Sequence, residues 1–394
     1  MNQATLDFIR EHAEADVRQL ALRKTKNPEV DLMVALEQIA GRQKARIKIP
    51  SWAAREGIIY PPHLSMEQCS SEQTARYKAG VAGKGTLFVD LTAGFGVDTA
   101  FIAEGFKRVV SVERQEQLCQ IASQNHRLLG LQQIEVVCGD GVAYLHQMQH
   151  ADLLFIDPAR RDAHGGRTYG ISDCEPNVLE IIDEMVEKAD RVMLKLSPML
   201  DWRKAVEDLQ TGSGNPVFVN EVHIVSVDNE CKELLLIVSK EEKPLHVFCV
   251  NNGDVFDYEA GQDRQPIICS QFSAPCLLYE PNASLMKAGC FGLMTERYPL
   301  AQLDVNSHLF VAASEIPDFP GRRFVVENVT SMNKRELKQA LAGIRKANIA
   351  VRNFPLSVAE LRKRLNLQDG GDVFIFATTV ANQGHQLVIC RKKP

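Results

Sequence analysis

Apolar positions change rhythm twice along this chain. Over the first fifty residues, Leu32, Leu36 and Ile39 recur at i, i+4 and i+7, the repeat of one helix face. Asn27-Pro28 predicts an N-cap with proline at the first helical position. From Thr86 to Lys240 the pattern becomes short β-branched runs separated by helical stretches: Leu87–Leu91, Arg108–Val112, Ile134–Val137, Asp152–Ile156 and Arg191–Lys195. Such alternation predicts right-handed βαβ crossovers and a parallel sheet buried on both faces. Two further runs, Glu221–Ser226 and Glu233–Val238, are separated only by Val227 to Lys232. A parallel return needs a dozen or more residues, so these two are antiparallel neighbours. The expectation is an α/β domain with a seven-stranded sheet, one strand of which is reversed.

A hairpin is predicted from Leu245 to Tyr258, and the pattern restarts near Ala274. Pro281-Asn282 opens a short helix that Gly289 closes. Then come a strand at Phe324–Glu327, a helix with Leu337, Leu341 and Ile344 on one stripe, and a strand from Ile349 to Arg352. A second helix opens on the capping box Ser357-x-x-Glu360, and strands Val373–Thr379 and Gln386–Cys390 flank a turn at Gly384. The tail thus reads β-α-β-α-β-β, an α+β region. The predicted divisions are an N-terminal helical region (1–50), a sheet domain (51–242), a connecting region (243–274), a small α+β module (275–320) and the tail (321–394).

At 394 residues the chain can hold two or three domains, and 45% hydrophobic with 24% charged residues is ordinary for a globular protein. The net charge of −5 gives no global sign of a polyanion partner. The tail differs: from Gly321 onward 14 Lys and Arg face 5 Asp and Glu, a balance of +9 that leaves −14 for the rest. This asymmetry fits a nucleic-acid contact or a basic solvated face. The run Arg42, Lys44, Arg46, Lys48 offers the same pair of readings, the solvated helix end being the simpler. Ten cysteines show no C-x-x-C pair or zinc-ligand spacing, and the histidines form no ligand cluster, so reduced thiols and no metal are expected. With no basic-then-apolar leader and no membrane-length apolar run, a cytoplasmic protein without a membrane contact is expected.

The strongest chemical signal is Asp90-Leu-Thr-Ala93-Gly94-Phe-Gly96-Val-Asp98, after a predicted strand and opening a helix. Glycines at 94 and 96 allow a tight turn and close approach to a ligand. The third glycine of a dinucleotide fingerprint is absent, since position 99 is threonine, and Asp90 and Asp98 would repel a pyrophosphate. They suit a cationic ligand instead. Glu113 ends the second strand 23 positions after Asp90, where a carboxylate can accept both ribose hydroxyls, with Arg114 beside it. Gly139-Asp140-Gly141 follows the third strand, where an acid can accept from an adenine amine. Three acids at three successive strand ends line the ligand crevice of an open α/β sheet. Asp157-Pro158-Ala159-Arg160 ends the fourth strand, and a loop follows with Arg161, Arg167 and Tyr169. Asp157 is placed to accept a hydrogen bond from an acceptor amine or to take its proton. The arginines suit phosphate, and the tyrosine suits a base.

These residues resemble the class I S-adenosylmethionine-dependent methyltransferases over Pro61 to Lys240. The resemblance implies S-adenosylmethionine as cofactor, held by Asp90, Ala93, Gly94, Gly96, Asp98, Glu113, Arg114, Asp140 and Gly141. It implies Asp157, Pro158 and Arg160 as the catalytic motif, with Arg161, Arg167 and Tyr169 on the substrate. The stretch Ser70-Ser-Glu-Gln-Thr74-Ala looks like the segment that closes over methionine in trimethylguanosine synthase and its relatives, which adds Thr74. The last 74 residues resemble a THUMP-like domain, an RNA-binding module, preceded by a small ferredoxin-like segment; RNA is therefore the implied partner. Amino-group methyltransferases carry a second proline and an aromatic where this chain has Ala159-Arg160. Uracil-C5 enzymes need a cysteine after strand five, where this chain has Leu196-Ser197-Pro198. Rival readings are a nicotinamide oxidoreductase, which the missing glycine opposes, a non-catalytic RNA-binding or cofactor-sensing protein, and a methyltransferase of proteins or small molecules.

Overall fold

A computed structural model of the chain describes residues 1–22, 27–160, 170–262 and 264–393. Helices α1 (Gln3–Glu11), α2 (Val17–Ala21) and α3 (Leu32–Lys48) form the N-terminal region. The predicted cap at Asn27 is corrected: α3 starts at Leu32, and Asp31 caps it by accepting from Val34 N. Asn27-Pro28 instead makes a turn, in which the Asn27 side chain accepts from Glu29 N at 3.0 Å. Proline suits the second position of such a turn, and Asp31 is as good a cap as asparagine. Three of the four basic residues of the run on α3 are engaged within the protein. Lys44 pairs with Glu67 at 2.9 Å, Arg46 pairs with Glu14, and Lys48 donates to the Met66 carbonyl at 2.9 Å. Short helices α4 (Pro50–Ala53) and α5 (His63–Gln68) lead to α6 (Glu72–Ala82), which precedes the first strand.

The main sheet follows. In chain order its elements are β1 (Gly85–Asp90), α7 (Val97–Ile102), β2 (Phe106–Glu113), α8 (Glu116–Leu128), β3 (Ile134–Cys138), α9 (Gly141–Gln147) and β4 (Ala151–Ile156). A two-stranded ribbon, β5 (Ala159–Arg160) with β6 (Cys174–Glu175), comes before α10 (Val178–Lys188) and β7 (Ala189–Leu196). Then come α11 (Trp202–Gly212), β8 (Phe218–Val227), β9 (Glu230–Ser239), β10 (His246–Asn251) and β11 (Asp254–Glu259). β1 pairs in parallel with β2 and β4, β2 with β3, and β4 with β7, while β9 runs antiparallel to β7. The order is β11-β10-β8-β9-β7-β4-β1-β2-β3, so nine strands replace the seven expected. The sequence pattern treats the hairpin from Leu245 to Tyr258 as a separate connector, because edge pairing leaves no trace in local periodicity.

The parallel strands are apolar on both faces: Phe88, Leu153, Phe155 and Met193 are all at most 1% exposed and pack with Phe106 and Val109. Each such side chain contributes about 1.5–3 kcal/mol by leaving water. Strand order reverses between β1 and β4, so the crevice at their carboxyl ends is the switch point where open sheets of this kind take ligands. The chain divides into two compact units, Met1–Val227 with Lys232–His246, and Asp228–Cys231 with Val247–Pro394.

The second unit holds a seven-stranded sheet. Its elements are β12 (Cys276–Pro281), α12 (Ala283–Ala288), α13 (Phe291–Arg297), β13 (Ala301–Gln302), β14 (Phe310–Ala312), β15 (Gly321–Thr330), α14 (Lys334–Ala340), β16 (Asn348–Arg352), α15 (Val358–Leu365), β17 (Val373–Val380) and β18 (Gly384–Lys392). The order β13-β14-β12-β15-β18-β17-β16 joins the segment before 321 and the tail in one sheet. The Asn282 cap, the Gly289 stop and the Ser357–Glu360 capping box all form. Among the described residues no helix is long and apolar enough to cross a membrane, and no group of three or more His, Cys, Asp or Glu is placed to hold a metal.

Candidate active site

The site is built on strand ends. Asp90 closes β1 and is 1% exposed. Its Oδ1 accepts from Thr92 N at 3.0 Å and its Oδ2 from the Thr99 hydroxyl at 2.6 Å. Burial pushes Asp90 up to about 7; the two threonine hydrogen bonds oppose the rise, and the charges of Asp98 and Asp157 add to it. Ala93 N donates to the Val112 carbonyl at 2.9 Å, fixing the loop on β2. Gly96 starts α7 with φ +84°, and a Cβ there would meet His126 Nε2 at 2.4 Å. His126 Nε2 donates to the Gly96 carbonyl at 3.2 Å; burial lowers its pKa to about 4, and that carbonyl only partly opposes the fall. At Gly94 the situation is reversed: a Cβ would meet nothing within 4 Å, so the space over this loop is open to a ligand.

Glu113 ends β2 and grips the loop from the other side. Its Oε2 accepts from Gly94 N at 2.9 Å and its Oε1 from Gln115 N at 2.8 Å. Arg114 lies outward, paired with Glu175 at 3.3 Å, both side chains largely exposed. Asp140 caps α9 through Ala143 N at 2.9 Å. Gly141 is required by close approach, since a Cβ there would lie 2.1 Å from the Leu91 carbonyl oxygen. Thr74 is buried and spends its hydroxyl in the start of α6, donating to the Ser71 carbonyl at 3.2 Å. Ser70, in the same segment, donates to Asp98 Oδ2 at 2.7 Å.

Asp157 follows β4, and its N–H donates to the Thr92 hydroxyl at 2.7 Å. Ile156 and Leu194 are in register, so Asp157 and Lys195 are neighbours, and Lys195 Nζ donates to Asp157 Oδ2. Lys195 also lies 3.8 Å from Asp98 Oδ2. Behind it, fully buried Lys78 pairs with Glu233 at 2.6 Å and Asp98 at 3.2 Å, and donates to the Ser70 hydroxyl at 3.1 Å. Burial pulls Lys195 down, but Asp157, Asp98 and Glu233 outweigh it and raise its pKa. Burial raises Asp98, yet Lys78 and Lys195 prevail and hold it below the usual range. For Glu233 burial prevails over the same lysines and the shift is upward.

Pro158 is buried, and Arg160 lies in the β5–β6 ribbon, its side chain outside the described part. Arg161, Arg167 and Tyr169 lie outside the described residues. Lys78, Lys195 and Glu233 belong to none of the sequence motifs assigned to the site. A signal existed: Lys195 interrupts the apolar run of β7 and Glu233 opens that of β9, and a charge inside such a run needs a partner. Among the described residues two ammonium groups thus face three carboxylates, four with Asp90. The excess of acid, with open space at Gly94, suits a cationic nucleoside better than a diphosphate.

A model described as THUMP domain-like matches residues 321–392, and one for a ferredoxin-like domain matches 277–320. A third, for protein-L-isoaspartate(D-aspartate) O-methyltransferase, matches 82–160. No curated protein matches the sequence. The crystal structure of a Porphyromonas gingivalis W83 protein assigned as a methyltransferase is 30% identical, with TM-score 0.85, and the match covers 99% of this chain and 98% of that one. An rRNA methylase from Streptococcus thermophilus aligns at 20% identity and TM-score 0.32, over 43% of this chain and 95% of that one. A ribosomal protein L11 methylase from Lactobacillus delbrueckii subsp. bulgaricus aligns at 13% identity and TM-score 0.32, over 43% of this chain and 77% of that one. Through the full-length match this chain belongs to the family of the Porphyromonas gingivalis protein, the class I S-adenosylmethionine-dependent methyltransferases with a C-terminal THUMP-like domain.

Proposed function

We propose that this protein binds S-adenosylmethionine at the rim from Asp90 to Asp157 and methylates structured RNA. The observation that carries the cofactor half is the loop at Gly94, open above and held by the Glu113 carboxylate, at the switch point of the sheet. When bound, S-adenosylmethionine supplies a methyl group on a sulfonium; the acceptor atom bonds to that carbon while the C–S electron pair stays on sulfur. Glu113 accepts from the ribose, Asp140 from the adenine side, and the acids near Asp90 offset the ligand's positive charge. Pro158 shapes the acceptor mouth with Asp157, and Arg160, Arg161, Arg167 and Tyr169 meet the substrate. Catalysis is mostly positioning.

The RNA half rests on the second unit. A groove of about 1380 Å³ runs between α14 and α15, rimmed by Lys334, Lys338, Arg345, Lys346, Lys363 and Arg364 over Leu337, Leu341 and Leu367. No acid lines it, and among the described ion pairs only its Arg362 is engaged, with Asp369. A cationic trough of this kind holds a phosphate backbone. The match of residues 82–160 to a protein-directed O-methyltransferase family favours protein as the second reading. Tritium from labelled S-adenosylmethionine, followed into RNA and protein fractions of cells lacking this protein, separates the two. Label in RNA is expected; label confined to protein overturns the RNA reading.

A further inference from the structure

The Asp157 carboxylate is oriented by its surroundings. Lys195, one residue from the end of β7, stands in register beside Asp157 and donates to its Oδ2. Its side chain is 12% exposed and that of Asp157 is 37% exposed, so the lysine is held inside while the carboxylate keeps an open side for an acceptor. The Asp157 backbone is pinned as well, by its N–H on the Thr92 hydroxyl, and Thr92 N is in turn held by Asp90. A carboxylate tied to an ammonium on one oxygen and fixed at its backbone is a well-aimed hydrogen-bond acceptor.

We propose that Lys195 is a positioning residue of the transfer step: it holds the Asp157 carboxylate in one orientation, aimed at the acceptor. This rests on the methyltransferase reading and extends it. The acceptor's lone pair forms the new bond to the methyl carbon, the bond from that carbon to sulfur breaks with its electron pair kept by sulfur, and the acceptor's proton leaves to water afterwards. Lys195 performs this role within a set of charges that keeps it in place. Asp98 on α7 faces it at 3.8 Å, and Asp98 and Glu233 on β9 are themselves held by Lys78 on α6. Lys78 supplies the structural cation of the cluster, which frees Lys195 to serve Asp157.

The role predicts non-additivity, because a residue acting only through Asp157 has nothing to act on once that carboxylate is gone. Lys195→Met, Lys195→Arg, Asp157→Asn and the double variant Lys195→Met with Asp157→Asn are compared with the wild type. Tritium transfer into RNA gives kcat, calorimetry gives the affinity for S-adenosylhomocysteine, and thermal midpoints report folding. Lys195→Met should lose roughly tenfold to hundredfold in kcat, the scale set by misplacing a reacting group. Its affinity for S-adenosylhomocysteine should stay within about twofold. Lys195→Arg should recover most of the rate, and the double variant should be no slower than Asp157→Asn alone. Losses that multiply, or a fall in kcat matched by a fall in S-adenosylhomocysteine affinity, would overturn the role and leave Lys195 structural. If Lys195→Met proves unstable, Lys195→Gln replaces it in the cycle and carries the same decision. A wild type that neither binds S-adenosylhomocysteine nor transfers label would instead remove the methyltransferase reading beneath it.

Discussion

The backbone N–H of Gly94 donates to Glu113 Oε2 at 2.9 Å, so the acid at the end of β2 shapes the loop at the end of β1. The same carboxylate accepts from Gln115 N through its other oxygen. Glu113→Ala therefore removes a charged acceptor from two amides at once, each worth about 1.5–3 kcal/mol to a charged partner. The affinity for S-adenosylhomocysteine, read by calorimetry, should fall by roughly tenfold or more. An unchanged affinity would mean that the carboxylate serves the loop and not the ligand.

Lys78 is fully buried between Glu233 and Asp98, and its removal strands two carboxylates in the interior. Breaking such a cluster from one side costs about 3–5 kcal/mol. Lys78→Met should lower stability in urea by that order. The pair Lys78→Met with Glu233→Gln should recover part of the loss, since one stranded charge is gone. Equal losses in both variants would show that the two groups are not coupled.

How much of this could be read beforehand depends on distance along the chain. The parallel strands and the β8–β9 hairpin follow from run length and gap length, both local. The caps at Asn282 and Ser357 follow from a few residues, whereas Asn27 lost to Asp31 because two good caps lie four positions apart. The two further strands, β10 and β11, are legible as a hairpin, but their pairing partner is a non-local choice that no periodicity records. In the site, Asp90, Glu113 and Asp157 stand at strand ends where acids announce themselves. Lys78 and Glu233 are 155 positions apart, and each alone looks like a stray charge in an apolar stretch. Ser70 and Asp98, which share a hydrogen bond, are 28 positions apart.

Asp90 gives a pH signature. Burial raises its pKa in the folded chain to about 7, above the usual aspartate value near 4. Between those values the unfolded chain has released the proton and the folded chain retains it. This group's contribution to stability is therefore complete below about pH 4, declines as pH rises, and is lost above about 7. The amount is on the order of 4 kcal/mol. Urea denaturation across this range should show a falling stability difference between wild type and Asp90→Asn. A difference that rises with pH would reverse the assignment.

The groove between α14 and α15 predicts a salt effect. Changing Lys338 and Lys363 to Gln should weaken RNA binding and reduce the slope of log affinity against log salt by about 2, one unit per lost phosphate contact. S-adenosylhomocysteine binding should be untouched. Filter binding across a salt series reads both, and an unaltered slope would take the RNA away from this groove.

Calorimetric titration of the wild-type protein with S-adenosylhomocysteine bears on the central claim most directly, because it asks whether the acidic rim over Gly94 is a nucleoside site. Saturable one-to-one binding in the micromolar range is predicted, an affinity of about −8 kcal/mol. No heat of binding with the ligand at millimolar concentration would contradict it.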